Sequence, residues 1–402
     1  SSAEMHTTIY AIAESPRDST VIWVGTDDGN LQVTRDGGRK WTNVAGNITG
    51  LPKSAWVSSV EPGHFAAGTI YATFDLHTFG DMTPYAYRST DFGKTWTSLV
   101  AAGSPVRGYA HVIKEDLVNP QLLFLGTEFG LWISADGGQR WSRYKGGNFP
   151  AVAVRDLAVH PRDDDLVIAT HGRGIWIIDD ITPLRSLTPS VLARGAAFVQ
   201  TKPVVQVLSA GGGWANGDAE FIGANPPGDA VITYFLQKRH IFGDMTLQVF
   251  DSAGKLVQSL PTGKRRGLSR TAWSMRMAPP RIPTAATAAF AVGPRFLPGR
   301  YTVKLTEGDS AYTASLRVTG DSRVSHAVAD RRAQFELATS LYDLMNQMAT
   351  VVDQMNDMRG SLGDRGTGLA ARDTLMQALA RGSAQVDTMR KKIVATKEGG
   401  MI

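Results

Sequence analysis

The sequence predicts a mainly β protein that ends in an α-helical hairpin. Three observations support this prediction. A turn motif recurs three times before residue 150, short alternating strand patterns follow from about residue 230, and an apolar period of three and four residues begins at about residue 327. The chain has 402 residues, which is enough for about two or three domains of roughly 100–200 residues each.

The recurring turn motif is Ser/Thr-x-Asp-x-Gly-x-x-Trp, and its successive aspartates are 55 and 45 residues apart. In such a turn the aspartate accepts hydrogen bonds from nearby backbone N–H groups, the glycine adopts a positive φ and the tryptophan packs beneath. This is the Asp-box signature, and we expect its aspartates to be structural rather than catalytic. The residues concerned are Asp36, Gly38, Trp41, Asp91, Gly93, Trp96, Asp136, Gly138 and Trp141.

Strand-like runs precede each box, so each unit has three strands (A, B and C), the box turn and a fourth strand D. The unit length of about 45–55 residues is that of a propeller blade. A fourth unit ends near residue 180 without a box or a strand D. We therefore predict a partial Asp-box β-propeller of about four blades over residues 1–182.

Asp-box propellers generally close with more than four blades. We expect a second polypeptide or an N-terminal segment to complete the ring and to supply the missing strand by strand exchange; a closed four-bladed ring is the alternative. The chain opens on Ser1 with no basic and apolar leader, and it becomes strand-like within a few residues. We interpret it as a piece that begins within a domain.

The second half predicts three further regions. Residues 183–225 are rich in Gly, Pro and Ala and are expected to form a linker or an extended arm, with residues 226–320 as an Ig-like β-sandwich. Residues 327–397 predict an antiparallel helical hairpin, interrupted between Gly360 and Gly368. The Met-rich stripe of this hairpin is interpreted as core packing, with a partner- or membrane-binding face as the alternative.

These motifs resemble the bacterial sortilin-like, BNR-repeat "glycosyl hydrolase-like" propeller proteins. The resemblance rests on Gly25–Gly29 before the first box, on Gly126–Gly130 and on Thr170–Trp176, and it covers most of the chain. It implies the C-terminal portion of a large extracytoplasmic protein, with residues 230–318 as a FlgD-like Ig domain. The Asp box is specific for the fold and not for function, because receptors, sialidases and glycanases share it.

Composition excludes several classes of function. The chain has no Cys, which excludes disulfides, thiolate zinc sites and a cysteine nucleophile. The net charge is +5 without a basic stripe that carries aromatic residues, so we expect no nucleic-acid partner. No apolar run reaches the roughly 18 residues of a membrane-spanning helix, and no nucleotide-binding loop or other cofactor motif is present.

The B–C loops of all four blades place polar groups at equivalent positions on one face of the propeller, and we expect a protein or glycan ligand there. The alternative is that these groups cap turns and pair with one another, for example Arg173 with Asp28 or Glu128. The candidate ligand-binding residues are Asp27, Asp28, Asp75, His77, Glu128, His171 and Arg173.

Catalysis by this chain remains open on the sequence alone. Glycoside hydrolysis needs two carboxylates at a defined separation, and Asp28 and Glu128 are the candidates. A sialidase needs an arginine cluster, for which only Arg173 and Arg155 lie near the right loops. The oxygen-rich loop around Asp75, His77 and Asp81 is the nearest approach to a metal site, and we expect no bound metal or cofactor.

Two hypotheses follow. The first is a non-catalytic interaction or scaffold module of an extracytoplasmic propeller protein. The second is a carbohydrate-active glycoside hydrolase with its carboxylates on the B–C face. A short distance between Asp28 and Glu128 across an open groove would favour the second hypothesis, and internal pairing of these groups would favour the first.

Overall fold

The computed structural model describes residues 7–199, 202–207, 228–282, 292–323, 327–365 and 373–393. The chain forms two compact units. One comprises residues 1–201 with 235–238, and the other comprises residues 202–234 with 239–402. Most of the glycine-rich segment that precedes residue 228, including Gly211, and part of the 278–294 insertion lie outside the described residues.

The first unit contains four small antiparallel sheets, one for each predicted blade. Blade 1 consists of β1 (Ile9–Ser15), β2 (Asp18–Thr26), β3 (Leu31–Thr34) and β4 (Trp41–Asn43), followed by a 3₁₀ helix (Ala45–Asn47). Blade 2 consists of β5 (Trp56–Pro62), β6 (Ile70–Leu76), a 3₁₀ helix (His77–Phe79), β7 (Asp81–Ser89) and β8 (Thr97–Ser98). Blade 3 consists of β9 (Ala110–Glu115), β10 (Leu123–Thr127), β11 (Gly130–Ser134) and β12 (Ser142–Arg143).

Blade 4 differs from the first three blades in one respect. It consists of β13 (Val154–Val159), β14 (Leu166–Thr170) and β15 (Ile175–Ile178). In the part of the chain that the structure describes, its sheet has three strands and no strand D.

Neighbouring blades pack face to face. The A strands contact one another in series, β1 with β5, β5 with β9 and β9 with β13. A separate apolar core fills each interface, with Trp23 between blades 1 and 2, Leu125 between blades 2 and 3, and Phe124 between blades 3 and 4. The strand order A-B-C-D in the first three sheets and A-B-C in the fourth, together with this serial packing, confirms the predicted partial propeller of about four blades.

After blade 4 the chain forms α1 (Thr182–Arg185), α2 (Pro189–Leu192) and β16 (Ala196–Phe198). Arg185 forms a bidentate ion pair with Asp116 of blade 3, at 2.8 Å for each bond, and a third bond of 2.8 Å to Asp164 of blade 4. Asp116 is fully buried. One arginine therefore ties the segment after blade 4 to both of the last two blades.

The second unit contains the predicted β-sandwich. Its strands are β17 (Val204–Gln206), β18 (Ala230–Leu236), β19 (Met245–Phe250), β20 (Leu256–Leu260), β21 (Gly267–Trp273), β22 (Gly299–Glu307) and β23 (Ser310–Gly320). One sheet has the order β17-β23-β22-β19-β20, and β18 pairs with β21 in the other. Leu247, Val303 and Leu305 of the first sheet and Tyr234 and Trp273 of the second are buried between them.

Two helices end the described chain, α3 (Val328–Arg365) and α4 (Thr374–Ile393). They pack against each other, and Arg359 of α3 forms an ion pair of 2.9 Å with Asp387 of α4. The predicted start of the interruption at Gly360 is wrong, because α3 continues through this residue to Arg365. A single interior glycine costs about 1 kcal/mol of helix propensity, which packing against α4 offsets.

Candidate functional site

The three Asp-box turns connect strands C and D, and in each one a hydroxyl and a backbone N–H donate to the aspartate. In the second box the Ser89 hydroxyl donates to Asp91 at 2.8 Å, and the Thr95 backbone N–H donates to the same carboxylate at 2.9 Å. The indole N–H of Trp96 donates to the carbonyl of Gly93 at 3.0 Å. The indole bond differs in the third box, where Trp141 donates to the carbonyl of Leu99 at 2.8 Å. Equivalent bonds to the carboxylate close the boxes of Asp36 and Asp136, so these aspartates are engaged in turn formation.

The aspartates of the blade 1 B–C loop also bond locally. Asp27 accepts hydrogen bonds of 2.8 Å from the backbone N–H groups of Thr7 and Thr8. Asp28 accepts from the hydroxyl of Thr26 and, at 2.9 Å, from the side-chain amide of Asn30. Asp28 therefore stabilises its own turn.

A polar network occupies the equivalent end of blades 2 and 3. Asp75, at the end of β6, accepts from the backbone N–H of His77 at 2.8 Å and contacts its ring Nδ1 at 2.7 Å. The imidazole of His77 stacks on the ring of Tyr109, with centroids 4.4 Å apart and an interplanar angle of 12°. Tyr109 in turn meets His111 edge to face at 4.5 Å. Tyr109 and His111 lie at the start of the A strand of blade 3, so the network continues along this strand.

The network ends on Glu128 and Arg155. The Nε2 of His111 lies 3.0 Å from the Glu128 carboxylate, and the guanidinium of Arg155, on the A strand of blade 4, lies 3.2 Å from the Nδ1 of His111. Because a guanidinium only donates, Nδ1 is the acceptor and Nε2 carries the proton that Glu128 accepts. His111 is thus held as the neutral imidazole between an anion and a cation.

The protonation states follow from burial and from these partners. Burial and the charge of Arg155 lower the pKa of His111. Burial and a hydrogen bond to Glu128 raise the pKa of Tyr109 to about 12. Burial opposes ionisation of Glu128, but hydrogen bonds from His111 and Tyr109 outweigh it and lower the pKa of this carboxyl. At neutral pH the network is therefore a carboxylate, a neutral imidazole, a phenol and a guanidinium.

Of the sequence-predicted residues, the structure brings Asp75, His77 and Glu128 into one network, while Asp27 and Asp28 bond within blade 1. His171 and Arg173 are exposed on the B–C turn of blade 4, and within the described residues neither side chain forms a hydrogen bond or an ion pair. Glu128 pairs with His111 and not with Arg173.

Sequence reasoning missed Tyr109 and His111 and gave Arg155 only a minor place. The available signal was a polar aromatic pair, two residues apart, at the start of a strand that is otherwise apolar and buried. Among the described residues, no group of three or more His, Asp or Glu side chains is placed to hold a metal ion. In the same part of the chain, no helix has the length and apolar character needed to cross a bilayer.

No protein-family model and no curated protein matches this chain. Among solved structures it is similar to YCF48 bound to D1 peptide, at 20% identity and a TM-score of 0.32, over 43% of this chain and 52% of that one. It is also similar to a GH74 enzyme of Niastella koreensis, at 18% identity and a TM-score of 0.32, over 44% of this chain and 24% of that one. It is similar to an ancestral GH74 enzyme as well, at 16% identity and a TM-score of 0.36, over 63% of this chain and 32% of that one.

The aligned parts therefore span about half, a quarter and a third of these three proteins. With all three TM-scores below 0.5, the propeller assignment rests on the strand order and the blade packing described above.

Proposed function

We propose that this chain is a non-catalytic interaction module of a larger extracytoplasmic protein of the BNR or sortilin-like kind, and that its propeller docks further blades. The observation that carries this proposal is the exposed apolar face of blade 4. Ile175 and Ile177 of β15 are 73% and 57% exposed. Their cross-strand partners on β14 are Ala169 and Val167, so the four side chains form one continuous patch.

The equivalent positions of blade 3 are buried. Phe124 pairs with Ile133, and Gly126 pairs with Leu131, in the same register. Phe124 and Leu131 are fully buried because blade 4 covers them. The same register positions therefore face a neighbouring sheet in blade 3 and solvent in blade 4, and an apolar patch of this kind is typical of an interaction surface.

The occupant that fits this face is another blade-type antiparallel sheet. Blade 2 covers one face of blade 1 in this way, and blade 3 is covered by the sheet of blade 4. Among the described residues, no D strand pairs with β15, whereas β4, β8 and β12 provide this strand in the other blades. On blade 1, Ile12 of β1 is 68% exposed, so the opposite end of the series also presents apolar side chains. A second polypeptide and another segment of the same protein are both possible sources of the sheet.

The polar network at the B–C end is suited to hydrogen bonding of a protein or glycan ligand rather than to hydrolysis. A glycosidase general acid needs a raised pKa so that it can donate a proton near neutral pH. The pKa of Glu128 is lowered, because His111 and Tyr109 donate hydrogen bonds to its ionised form. Asp28, the other carboxylate candidate, is bonded to Thr26 and Asn30 of its own turn.

Photo-crosslinking tests the docking proposal. A photoreactive amino acid replaces Ile177 in cells that make the natural protein, and Arg162, an exposed residue of the A–B turn of blade 4, is the matched control position. We expect Ile177 to crosslink to a peptide from a sheet that carries the Ser/Thr-x-Asp-x-Gly-x-x-Trp box. Crosslinking no stronger than at Arg162, or only to segments without a box-bearing sheet, would contradict the proposal.

Hydrolysis is tested separately on a panel of plant and bacterial polysaccharides. We expect no release of reducing sugar above background. Turnover that Glu128→Gln lowers by more than about a hundredfold would establish the alternative function instead, whatever the crosslinking result.

A further inference from the structure

The second unit contains a cavity of about 520 Å³ beside the N-terminal half of α3. The sandwich segments around residues 276–280 and 292–295 form one wall, and α3 forms the other. Its volume lies within the roughly 300–1,000 Å³ of small-molecule sites. The residues that matter for its chemistry are Arg276, Arg295, Arg331, Phe335, Leu341 and Tyr342.

Three arginines converge on this cavity, and each one bonds only to neutral groups. Arg276 donates to the carbonyl of Gly293 at 3.1 Å, and Arg295 donates to the carbonyl of Val207 at 3.0 Å. Arg331 donates to the side-chain carbonyl of Gln206 at 3.1 Å and also to that of Gln334. Within the described residues, no carboxylate forms an ion pair with any of the three.

This lack of counter-charge leaves like charges next to each other. Burial and the neighbouring charge of Arg295 lower the pKa of the Arg276 guanidinium. An anion placed between these two side chains would relieve both effects, because a guanidinium fork matches the oxygens of a carboxylate or phosphate.

Beyond Arg331 and Gln334, the helical wall of the cavity is apolar. Phe335, Ala338, Tyr342 and Met345 recur at three- and four-residue steps on one face of α3. Phe335 also packs on Phe296 of the sandwich, with ring centroids 6.3 Å apart. A ligand that reached from the arginines along this wall would bury an apolar body against aromatic and aliphatic side chains.

We propose that this cavity binds an amphipathic organic anion, whose carboxylate or phosphate head group lies between Arg276, Arg295 and Arg331 and whose apolar body lies along α3. The head group supplies the counter-charge that the arginines lack, and the apolar body packs on the apolar side chains of α3 that follow Arg331. The site is independent of the propeller and of the function proposed above.

Isothermal titration calorimetry on the full chain with octanoate, octyl phosphate and the neutral 1-octanol tests this proposal. We expect one of the two anions to bind at a single site at least tenfold more tightly than octanol. The anion that binds more tightly identifies the head group. We expect Arg276→Gln to weaken its binding by at least tenfold, and Arg317→Gln, on the exposed face of β23, to leave it unchanged.

Arg331→Gln provides a second variant on the half-exposed surface of α3, in case Arg276→Gln does not fold. The proposal is overturned if neither anion binds, if octanol binds as tightly as the anions, or if folded Arg276→Gln or Arg331→Gln binds as the unmodified chain does.

Discussion

At the scale of single residues, the Asp-box positions combine three roles that no other residue types fill together. The carboxylate accepts bonds from a hydroxyl and from a backbone N–H, and the glycine takes a left-handed φ. In the first two boxes the indole N–H also donates to the carbonyl of the box glycine. Gly38, Gly93 and Gly138 have φ values of 96°, 80° and 91°. The conformation of these turns can therefore be predicted from the local sequence, without knowledge of the blades around them.

The pKa of Asp91 carries a prediction about acid stability. Hydrogen bonds from the backbone and hydroxyl of Thr95 and from Ser89 lower it from 3.8 to about 2. A carboxyl whose folded-state pKa is lowered stabilises the fold fully above its unfolded-state value, and this contribution is lost as the pH falls towards 2. We expect Asp91→Asn to lower the urea midpoint at pH 6 and to have almost no effect at pH 2.

Glu14→Gln is the matched control, because Glu14 is an exposed carboxylate of β1 with no side-chain hydrogen bond among the described residues. If Asp91→Asn lowered the urea midpoint equally at pH 6 and at pH 2, the charge of Asp91 would play no part in closing the turn.

The pKa of His111 should shift in opposite directions when its two charged neighbours are replaced. Burial and Arg155 lower its pKa, while Glu128 acts in the other direction. We expect Arg155→Gln to raise the pKa of His111 and Glu128→Gln to lower it further, as measured by NMR titration of the imidazole. Because the pKa of His111 is lowered in the folded state, the stability of the fold should also decrease as the pH drops below 6.5, the usual pKa of histidine.

Arg162→Gln is the control for these titrations, since Arg162 pairs with Asp163 at the surface of the A–B turn. Shifts of the same sign in Arg155→Gln and Glu128→Gln would contradict the arrangement of His111 between an anion and a cation.

At the scale of the element, the B strands determine how closely successive blades approach. A Cβ on Gly25 would lie 2.3 Å from Val57 of blade 2, and a Cβ on Gly126 would lie 2.7 Å from the carbonyl oxygen of Val154 of blade 4. The equivalent residue of blade 2 is Thr73, which is fully buried and whose hydroxyl donates to the carbonyl of His111 at 3.3 Å. Glycine or a hydrogen-bonding hydroxyl thus allows each B strand to contact the next A strand.

We expect Gly126→Ala to destabilise the propeller by about 1–3 kcal/mol, because the obstacle to the new methyl group is backbone and cannot rotate away. Gly46→Ala is the control: a Cβ there meets nothing within 4 Å. Urea unfolding followed by tryptophan fluorescence measures both variants. A Gly126→Ala protein as stable as Gly46→Ala would mean that the blades can separate at no cost.

The elements were predictable where their signals are local. Period-2 strands such as Met245–Phe250 and the box turns fall where the alternation and the Asp-Gly-Trp spacing placed them. The short β20 (Leu256–Leu260) was not predicted as a strand, because pairing with β19 defines it more than its own composition does. The continuation of α3 through Gly360 was missed for a related reason, since packing against α4 overrides a weak propensity.

The candidate site was less predictable than the fold. The B–C loops and adjoining strand ends contain Asp75, His77 and Glu128, but the residues that connect these side chains, Tyr109 and His111, lie at the start of the A strand of blade 3. Their role depends on distances across blades 2, 3 and 4, and such distances are set by blade packing and not by sequence spacing. The arginine-lined cavity beside α3 depends in the same way on contacts between residues that are far apart in the chain.

At the scale of the whole propeller unit, the serial packing of blades makes each blade depend on its neighbours. Among the described residues, blade 4 packs against another blade on one face. Its stability therefore depends more on contacts with the chain that follows it than the stability of a central blade would. Arg185 supplies three charge-assisted bonds to Asp116 and Asp164, and its side chain is 10% exposed. Removing one partner of such a buried group leaves the carboxylate of Asp116 without its counter-charge in the interior.

We therefore expect Arg185→Gln to destabilise the propeller by about 3–5 kcal/mol, a range typical of broken buried ion pairs. Arg162→Gln removes an ion pair whose arginine is 81% exposed and should cost about 0–1 kcal/mol. Urea unfolding of both variants at pH 7 provides the comparison. If Arg185→Gln lost no more stability than Arg162→Gln, the last two blades would be held by their apolar interface, which includes Ile181 and Leu184, and the ion pairs of Arg185 would contribute nothing to keeping them together.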